Sequence, residues 1–199
     1  MRLRSALLLL LIVLAPSSLD AQLRKREPRR SGFFGGLAVG VGSAGASCDG
    51  CDFDRRTGIA AGFRLGSTVG DPNLLLGFAF DAWTDKSGGI RDLVANGGAA
   101  VYYYPFGRRP FFVKGGLGFS VYQSRGQGLT LKSVGWGVAT GAGYDIKLGR
   151  SLALTPEVNF FLGWPGDVED RNAGGPPVAT GWSQNTADLR LGVTYYTMY

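Results

Sequence analysis

The chain has 199 residues, of which 45% are hydrophobic and 18% are charged, and its formal net charge is +6. This length accommodates one domain. Histidine is absent, which excludes Ser-His-Asp, Cys-His and histidine-metal catalysis. We therefore expect no enzymatic activity, no cofactor and no metal site. From Ser31 onward the sequence has 14 basic and 13 acidic residues, so we expect no nucleic-acid partner.

The first 21 residues have the organisation of a secretory signal peptide. Arg2 and Arg4 precede an apolar run, and small residues follow before Gln22. The run is shorter than the roughly 20 residues of a membrane-spanning helix, so we expect cleavage after Ala21 and export. Residues 22–32 then form a basic tail that we expect to be disordered. Contact of this tail with anionic lipid headgroups or another envelope polymer is the alternative.

From Phe33 onward, apolar residues recur at alternate positions, which is the period of a β-strand. Eight segments have this period: Phe33–Gly42, Thr57–Thr68, Asn73–Thr84, Asp92–Tyr104, Phe111–Gln123, Leu131–Ile146, Leu152–Gly163 and Asn185–Tyr199. Each has about the length of a tilted membrane strand, and an even number lets the first and last strands pair. The sequence predicts an all-β fold for residues 33–199, an eight-stranded antiparallel up-and-down transmembrane β-barrel.

The links between the predicted strands alternate between short and long. The four longer links are Ser43–Arg56, Asp85–Arg91, Ser124–Thr130 and Trp164–Gln184. Short periplasmic turns and longer external loops are typical of bacterial outer-membrane barrels. We therefore expect an integral outer-membrane protein whose external loops contact a partner of unknown identity.

Aromatic residues cluster near the predicted strand ends, where amphipathic rings favour the lipid headgroups. We expect two aromatic girdles built from Phe33, Phe34, Trp83, Tyr102–Tyr104, Phe106, Phe111, Phe112, Tyr144, Trp164, Trp182, Tyr195, Tyr196 and Tyr199.

The strand face opposite the apolar one carries glycines and a small set of polar residues. These predicted lumen residues are Arg64, Asp81, Asn96, Lys114, Asp145, Glu157, Asn159, Asp188 and Arg190. Four carboxylates face three cations, so the set can pair with itself, as buried charges require. Side chains can fill the interior of an eight-stranded barrel, so we interpret this set as a plug. A proton or ion path through the lumen is the alternative.

Two of the longer links contain residues with possible chemistry. Cys48 and Cys51 lie in the first, and in an exported chain they indicate a disulfide that stiffens the loop. Free thiols, or a metal site that includes neighbouring aspartates, are the alternatives. Asp167, Glu169 and Asp170 lie in the last, and we interpret them as a solvated acidic surface, with carboxylate-only catalysis as the alternative.

The last predicted strand contains Gly192 and Tyr195 and ends in Tyr199. With this glycine and terminal aromatic it is similar to the C-terminal assembly signal of the small outer-membrane barrels of the OmpA/OmpX type, which the whole chain from Phe33 resembles. The resemblance implies recognition by the barrel-assembly machinery and contact with outer-membrane lipids. The sequence departs from the family at Thr197, where the family has an aromatic residue. The outer-membrane lipid A acylases, deacylases and phospholipases with this kind of barrel resemble one another in their use of a histidine, which this chain lacks.

A structural or surface-interaction role is therefore our leading hypothesis. A narrow channel for small solutes or hydrophobic molecules is the first alternative. A secreted soluble barrel that binds an apolar ligand is the second, and it requires apolar residues to face inward.

Overall fold

A computed structural model describes residues 32–107, 109–126, 128–172 and 175–197. The described residues form one antiparallel sheet with strands β1 (Phe33–Cys48), β2 (Cys51–Val69), β3 (Asp71–Ser87), β4 (Ile90–Tyr103), β5 (Phe111–Gly126), β6 (Leu129–Tyr144), β7 (Ile146–Lys147), β8 (Leu152–Asp170) and β9 (Ala179–Tyr196). Among these residues, no helix is long and apolar enough to cross a membrane. The predicted signal peptide, the tail up to residue 31 and Tyr199 lie outside the described residues.

The sheet closes on itself. Successive long strands pair antiparallel, β1 pairs with β9 from Phe34↔Tyr196 to Ser47↔Ser183, and β6 pairs with β8. The two-residue strand β7 continues the pairing of β6 with β8 past Asp145. Eight long strands therefore form the wall, and the predicted eight-stranded antiparallel barrel is confirmed.

Three of the four longer links are paired hairpins, so the prediction of loops there was wrong. The first ladder continues through Ala44↔Arg56 to Cys48↔Cys51, and the others continue to Ser87↔Ile90 and Gly126↔Leu129. Apolar alternation marks only the part of a strand that faces lipid. Beyond that level the residues become polar although the backbone ladder continues, so the sequence places the strand ends too early.

The fourth link is also partly extended strand. β8 continues to Asp170, and β9 begins at Ala179, with register shifts between Gly163 and Val168. All four hairpins lie at the end of the barrel opposite the termini. We call this end external, because external loops of such barrels project farther than the periplasmic turns.

An apolar belt surrounds the outside of the barrel. Exposed large apolar residues on its strands include Leu37, Val39, Val41, Ile59, Phe63, Leu65, Leu76, Val101, Val113, Leu117, Phe119, Val134, Val158, Phe160, Leu162, Leu189, Leu191 and Val193. Leu37 is 72% exposed and Ile59 is 64% exposed, values that water would strongly disfavour for a whole ring of such residues. About ten residues per strand, tilted by about 40°, give a belt about 25 Å tall, the height that outer-membrane barrels bury in lipid.

The predicted girdles are only partly correct, because neighbouring residues on a strand point to opposite faces. Outward aromatic residues include Phe33, Tyr103, Tyr144, Trp164 and Tyr195. By contrast, the buried rings of Phe34, Tyr102, Tyr104, Phe112, Trp83 and Trp182 belong to the interior. At the periplasmic end these residues form an outer girdle and an inner cluster of Phe34, Tyr102, Tyr104 and Phe112, whereas Trp83, Trp164 and Trp182 lie toward the external end.

Leu191 tests the lipid-facing assignment. It is 51% exposed and pairs with Val39 in the middle of the belt. Leu191→Arg places a charge near the bilayer midplane and should lower the free energy of unfolding by about 2–4 kcal/mol. Equilibrium denaturation of the refolded protein in phosphatidylcholine vesicles measures this loss. Thr57→Arg, an outward position above the belt, is the control and should have little effect. Equal tolerance of both substitutions would contradict the assignment.

Candidate functional site

The interior of the barrel contains all nine polar residues that the sequence analysis predicted for the lumen. Asp81, Asn96, Lys114, Asp145, Glu157, Asn159, Asp188 and Arg190 are less than 10% exposed, and the Arg64 side chain is 10% exposed. Their positions follow from the strand period, because eight of them lie an even number of residues from an inward glycine or aromatic residue on the same strand, and Asp145 lies two residues after the inward Gly143 of β6. The structure therefore brings charges from five strands, and from Asp145 between β6 and β7, into one narrow space.

Arg190 is the centre of the charged cluster. Its Nε lies 2.7 Å from Asp188 Oδ1 and its Nη2 lies 3.0 Å from Asp188 Oδ2. Its Nη1 contacts Asp81 across the lumen, and Glu157 Oε1 lies 3.9 Å from Nε. Asn159 Nδ2 donates to Asp188 Oδ1 at 2.8 Å. Arg190 thus contacts three carboxylates that come from β3, β8 and β9.

Arg64 forms a second centre nearer the periplasmic end. Its Nη1 lies 3.2 Å from Glu157 Oε2, and its Nη2 donates to Thr194 Oγ1 at 2.6 Å. The guanidinium also lies over the Phe112 ring, 5.0 Å from its centroid. Such stacking stabilises a cation where water is scarce. Glu157 therefore lies between Arg64 and Arg190 and joins the two centres.

Lys114 has fewer partners than the two arginines. Its Nζ lies 3.9 Å from Asp81 Oδ1 and 5.6 Å from the centroid of Phe161. Asp81 also contacts Arg190, so the loss of Lys114 would leave this carboxylate with a cation.

Asp145 is held by three hydroxyl groups, those of Tyr104 and Tyr196, which the sequence analysis assigned to the girdles, and that of Thr155, which it did not single out. Tyr196 donates to its Oδ2 at 2.6 Å and Tyr104 at 2.8 Å, while Thr155 donates to Oδ1 at 2.8 Å. Arg64 Nη2 is 3.9 Å away. Three donors stabilise the fourth carboxylate, for which the lumen has no dedicated cation. Strand alternation could have identified two of these donors, because it places Thr155 and Tyr196 on the lumen face of β8 and β9.

A neutral layer lies above the charged cluster. Ser120 donates to Asn96 Oδ1 at 2.7 Å, and Gln184 Nε2 donates to Ser120 Oγ at 2.8 Å. Trp182 Nε1 in turn donates to Gln184 Oε1 at 3.3 Å. Amide and hydroxyl groups thus satisfy each other and separate the charges from the external mouth. Ser120 and Gln184 were also missed by the sequence analysis.

Glycine at position 62 makes room for the cluster. A Cβ built at Gly62 would collide with Arg190 Nη1 and would lie 2.7 Å from Asp81 Oδ1. The guanidinium therefore occupies the space that a side chain would fill. This close approach explains why an inward position in the middle of β2 carries no side chain.

Aromatic rings and an ion-pair group close the external mouth. Trp182 stacks on Tyr122 with centroids 4.4 Å apart and contacts Phe53 at 5.3 Å. Beside them, Arg56 pairs with Asp85 and Asp92. The mouth is thus covered by side chains of the hairpins themselves.

The external hairpins are tied together by the turn that contains the cysteines. Cys48 and Cys51 form a disulfide with Cα atoms 5.0 Å apart. The disulfide flanks Asp49, whose amide donates to Thr180 O and whose Oδ2 accepts from Thr180 Oγ1, both at 3.0 Å. The β1–β2 hairpin therefore packs against the start of β9 and forms one external surface with it.

Little free volume remains in the barrel. Two cavities have volumes of about 10 and 20 Å³, which accommodates one or two water molecules. No group of three potential metal ligands occurs among the described residues. Asp167, one of the acidic candidates, accepts a hydrogen bond from the Gly181 amide. Neither of these two cavities has space for a larger solute.

Comparison with family models and with curated proteins gives no match. Among solved structures, Neisserial surface protein A matches with a TM-score of 0.55 at 17% identity, covering 84% of this chain and 98% of the other. The outer-membrane protein AlkL, determined in lipid bilayers, matches with a TM-score of 0.52 at 14% identity, covering 93% of this chain and 96% of the other. The fold is that of the small outer-membrane β-barrels.

The location follows from the protein's own surface. A closed barrel with an outward apolar belt about 25 Å tall, an aromatic girdle and a polar interior is the structure of an integral outer-membrane protein. The arrangement is the reverse of a soluble barrel around an apolar ligand, because the middle of the interior is charged and polar and the outside is apolar.

Substitution of the lumen cations tests the cluster. Arg190→Met keeps most of the side-chain volume but leaves Asp81 and Asp188 without their principal cation, so it should lower the free energy of unfolding by about 3–5 kcal/mol. Lys114→Met should cost less, because Asp81 retains Arg190. Arg55→Met, on the exposed outer face, is the control and should cost little. The measurement is equilibrium denaturation in vesicles. Equal losses for all three variants would contradict a cluster centred on Arg190.

Proposed function

We propose that this protein is a closed outer-membrane barrel whose external hairpins contact a partner outside the cell. The filled lumen is the observation that carries the proposal. Arg190, Arg64 and their carboxylate partners occupy the middle of the barrel, and the Asn96, Ser120 and Gln184 layer lies above them. The barrel then acts as an anchor, and the residues available for recognition are those beyond the belt.

The described parts of the external hairpins suit such a role because they are built mainly from paired strands. Their backbones remain hydrogen-bonded beyond the belt, and the Cys48–Cys51 disulfide and the Asp49 contact with Thr180 hold two of them together. A preorganised surface loses less conformational entropy on binding than a mobile loop does. Recognition of the chain by the barrel-assembly machinery through Gly192, Tyr195 and Tyr199, and the absence of enzymatic activity, stay predictions.

Electrical recording tests the closed lumen. The refolded protein inserted in planar bilayers should give no steady single-channel current, because ion passage would require displacement of the buried arginine cluster. Arg190→Met, refolded in parallel, shows whether loss of the cluster opens a path. Steady currents from the unsubstituted protein would contradict the proposal and favour the narrow channel.

Labelling of intact cells tests which end faces outward. Val178, beside the start of β9, and Leu148, in a turn at the opposite end, are both 61% exposed. Val178→Cys should react with a polymer-linked maleimide too large to cross the outer membrane, whereas Leu148→Cys should react only after lysis. Gel mobility reports the modification. The reverse result would place the hairpins in the periplasm and remove the proposed contact surface.

A further inference from the structure

Three cations lie side by side on the external rim of the barrel. Lys86 on β3 pairs with Arg91 on β4, and Arg91 pairs with Arg125 on β5. Residues paired in this way share one face of the sheet, with Cβ atoms about 5 Å apart. All three residues are exposed. We call Lys86, Arg91 and Arg125 the cationic row.

The cationic row faces outward and lies just above the belt. Asp92, the next residue after Arg91, is buried in the mouth, so the strand alternation directs Arg91 to the outside. Two residues further along this face is Leu93, about 7 Å away along the strand. On β5 the same face continues from Arg125 to Val121. The cationic row therefore lies at the height where lipid headgroups surround the barrel.

No carboxylate compensates the cationic row within the described part of the chain. None of its members forms an ion pair there, and Asp85 and Asp92 are both paired with Arg56. When the side-chain amide of Gln123 is oriented with its oxygen toward Arg125, the guanidinium donates hydrogen bonds to that oxygen, which is neutral. Like charges directly opposite each other destabilise a sheet. An external anion would relieve the repulsion among the three adjacent cations of the row.

We propose that the cationic row binds the phosphorylated headgroup of a lipid in the outer leaflet. Basic residues beside a membrane attract anionic headgroups, and the guanidinium groups of Arg91 and Arg125 can each donate two hydrogen bonds to a phosphate. The apolar belt below accommodates the acyl chains of the same molecule. A free phosphate would lack this second contact, which is why we assign a lipid.

The site is confined to one side of the barrel. On the opposite side, the rim carries Ser43 and Asn185, and the cation there, Arg55, is already bonded to both. Lys132 on β6 has Glu169 directly opposite it. The proposal depends on membrane insertion with the hairpins outside, but it does not depend on a protein or glycan partner of the hairpins.

Native mass spectrometry tests the proposal. The folded, disulfide-bonded protein is released from octyl glucoside micelles that contain equal amounts of dimyristoylphosphatidic acid and dimyristoylphosphatidylcholine. The unsubstituted protein should retain phosphatidic acid in preference. Arg91→Gln should weaken retention about fivefold, and the triple variant Lys86→Gln, Arg91→Gln, Arg125→Gln should abolish the preference. Arg150→Gln removes one exposed charge at the periplasmic end and should retain it.

The effect of Arg91→Gln on stability is an independent test, because the sign of this effect should depend on the lipid. In pure phosphatidylcholine vesicles Arg91→Gln should be at least as stable as the unsubstituted protein, because it relieves repulsion in the row. When phosphatidic acid is included, the unsubstituted protein should become the more stable of the two. A merely structural role for Arg91 would give a loss in both lipids and would overturn the proposal.

Three results would each overturn the lipid assignment: equal retention of both lipids, an equal effect of Arg150→Gln and Arg91→Gln, or displacement of phosphatidic acid by millimolar inorganic phosphate. The difference in gel mobility between unboiled and boiled samples verifies that each variant is folded, and the single variants decide if the triple variant does not fold. Failure here with correct maleimide labelling of Val178→Cys would leave the proposed function intact.

Discussion

Closure of the hydrogen-bonded wall is the constraint on which the rest of this structure depends. In the hydrocarbon core no water is present to satisfy backbone N–H and C=O groups, so an open strand edge is not tolerated. The pairing of β1 with β9 completes the ring of ladders. With only eight strands the resulting cylinder is narrow, and its interior volume limits which side chains can face inward. A Cβ at Gly40, for example, would lie 2.7 Å from Arg190 Cα on the neighbouring strand.

The charged interior is a consequence of the same narrow geometry. Inward side chains cannot reach bulk water, so each charge requires a partner inside the barrel. Arg190 and Arg64 meet this requirement by linking carboxylates from different strands, and Asp145 meets it through hydroxyl donors. Because these side chains occupy the middle of the lumen, the same space is not available as a path for a transported solute. The small volume of the two cavities favours a role as an anchor. Recognition of a partner or a lipid then depends on the hairpins and the rim.

The alternation of apolar residues was sufficient to predict the number of strands, the closed barrel and the face on which each lumen residue lies. It could not predict where strands end, because Cys48↔Cys51 and Gly126↔Leu129 continue the ladder above the lipid, where the apolar signal stops. It also placed Phe34 in a girdle although that ring lies inside, since one residue along a strand reverses the face.

The contacts between interior side chains likewise could not be predicted from the sequence. Contacts such as Arg190 with Asp81, or Tyr196 with Asp145, join distant strands. They depend on the stagger of every intervening pair of strands, and a single sequence does not specify that stagger. The cationic row was missed for the same reason, because Lys86, Arg91 and Arg125 become neighbours only through the registers of two separate hairpins.

Hydrogen exchange at the β1–β9 seam tests closure most directly. Amides of Val39, Val41, Leu189 and Leu191 lie in the ladder that joins the first strand to the last. In the folded protein in detergent micelles, followed by NMR, they should exchange as slowly as the amides of Phe78 and Phe80, which lie in the ladder between the consecutive strands β2 and β3. Rapid exchange confined to the seam, with protection elsewhere, would mean that the sheet is open and would contradict a closed barrel.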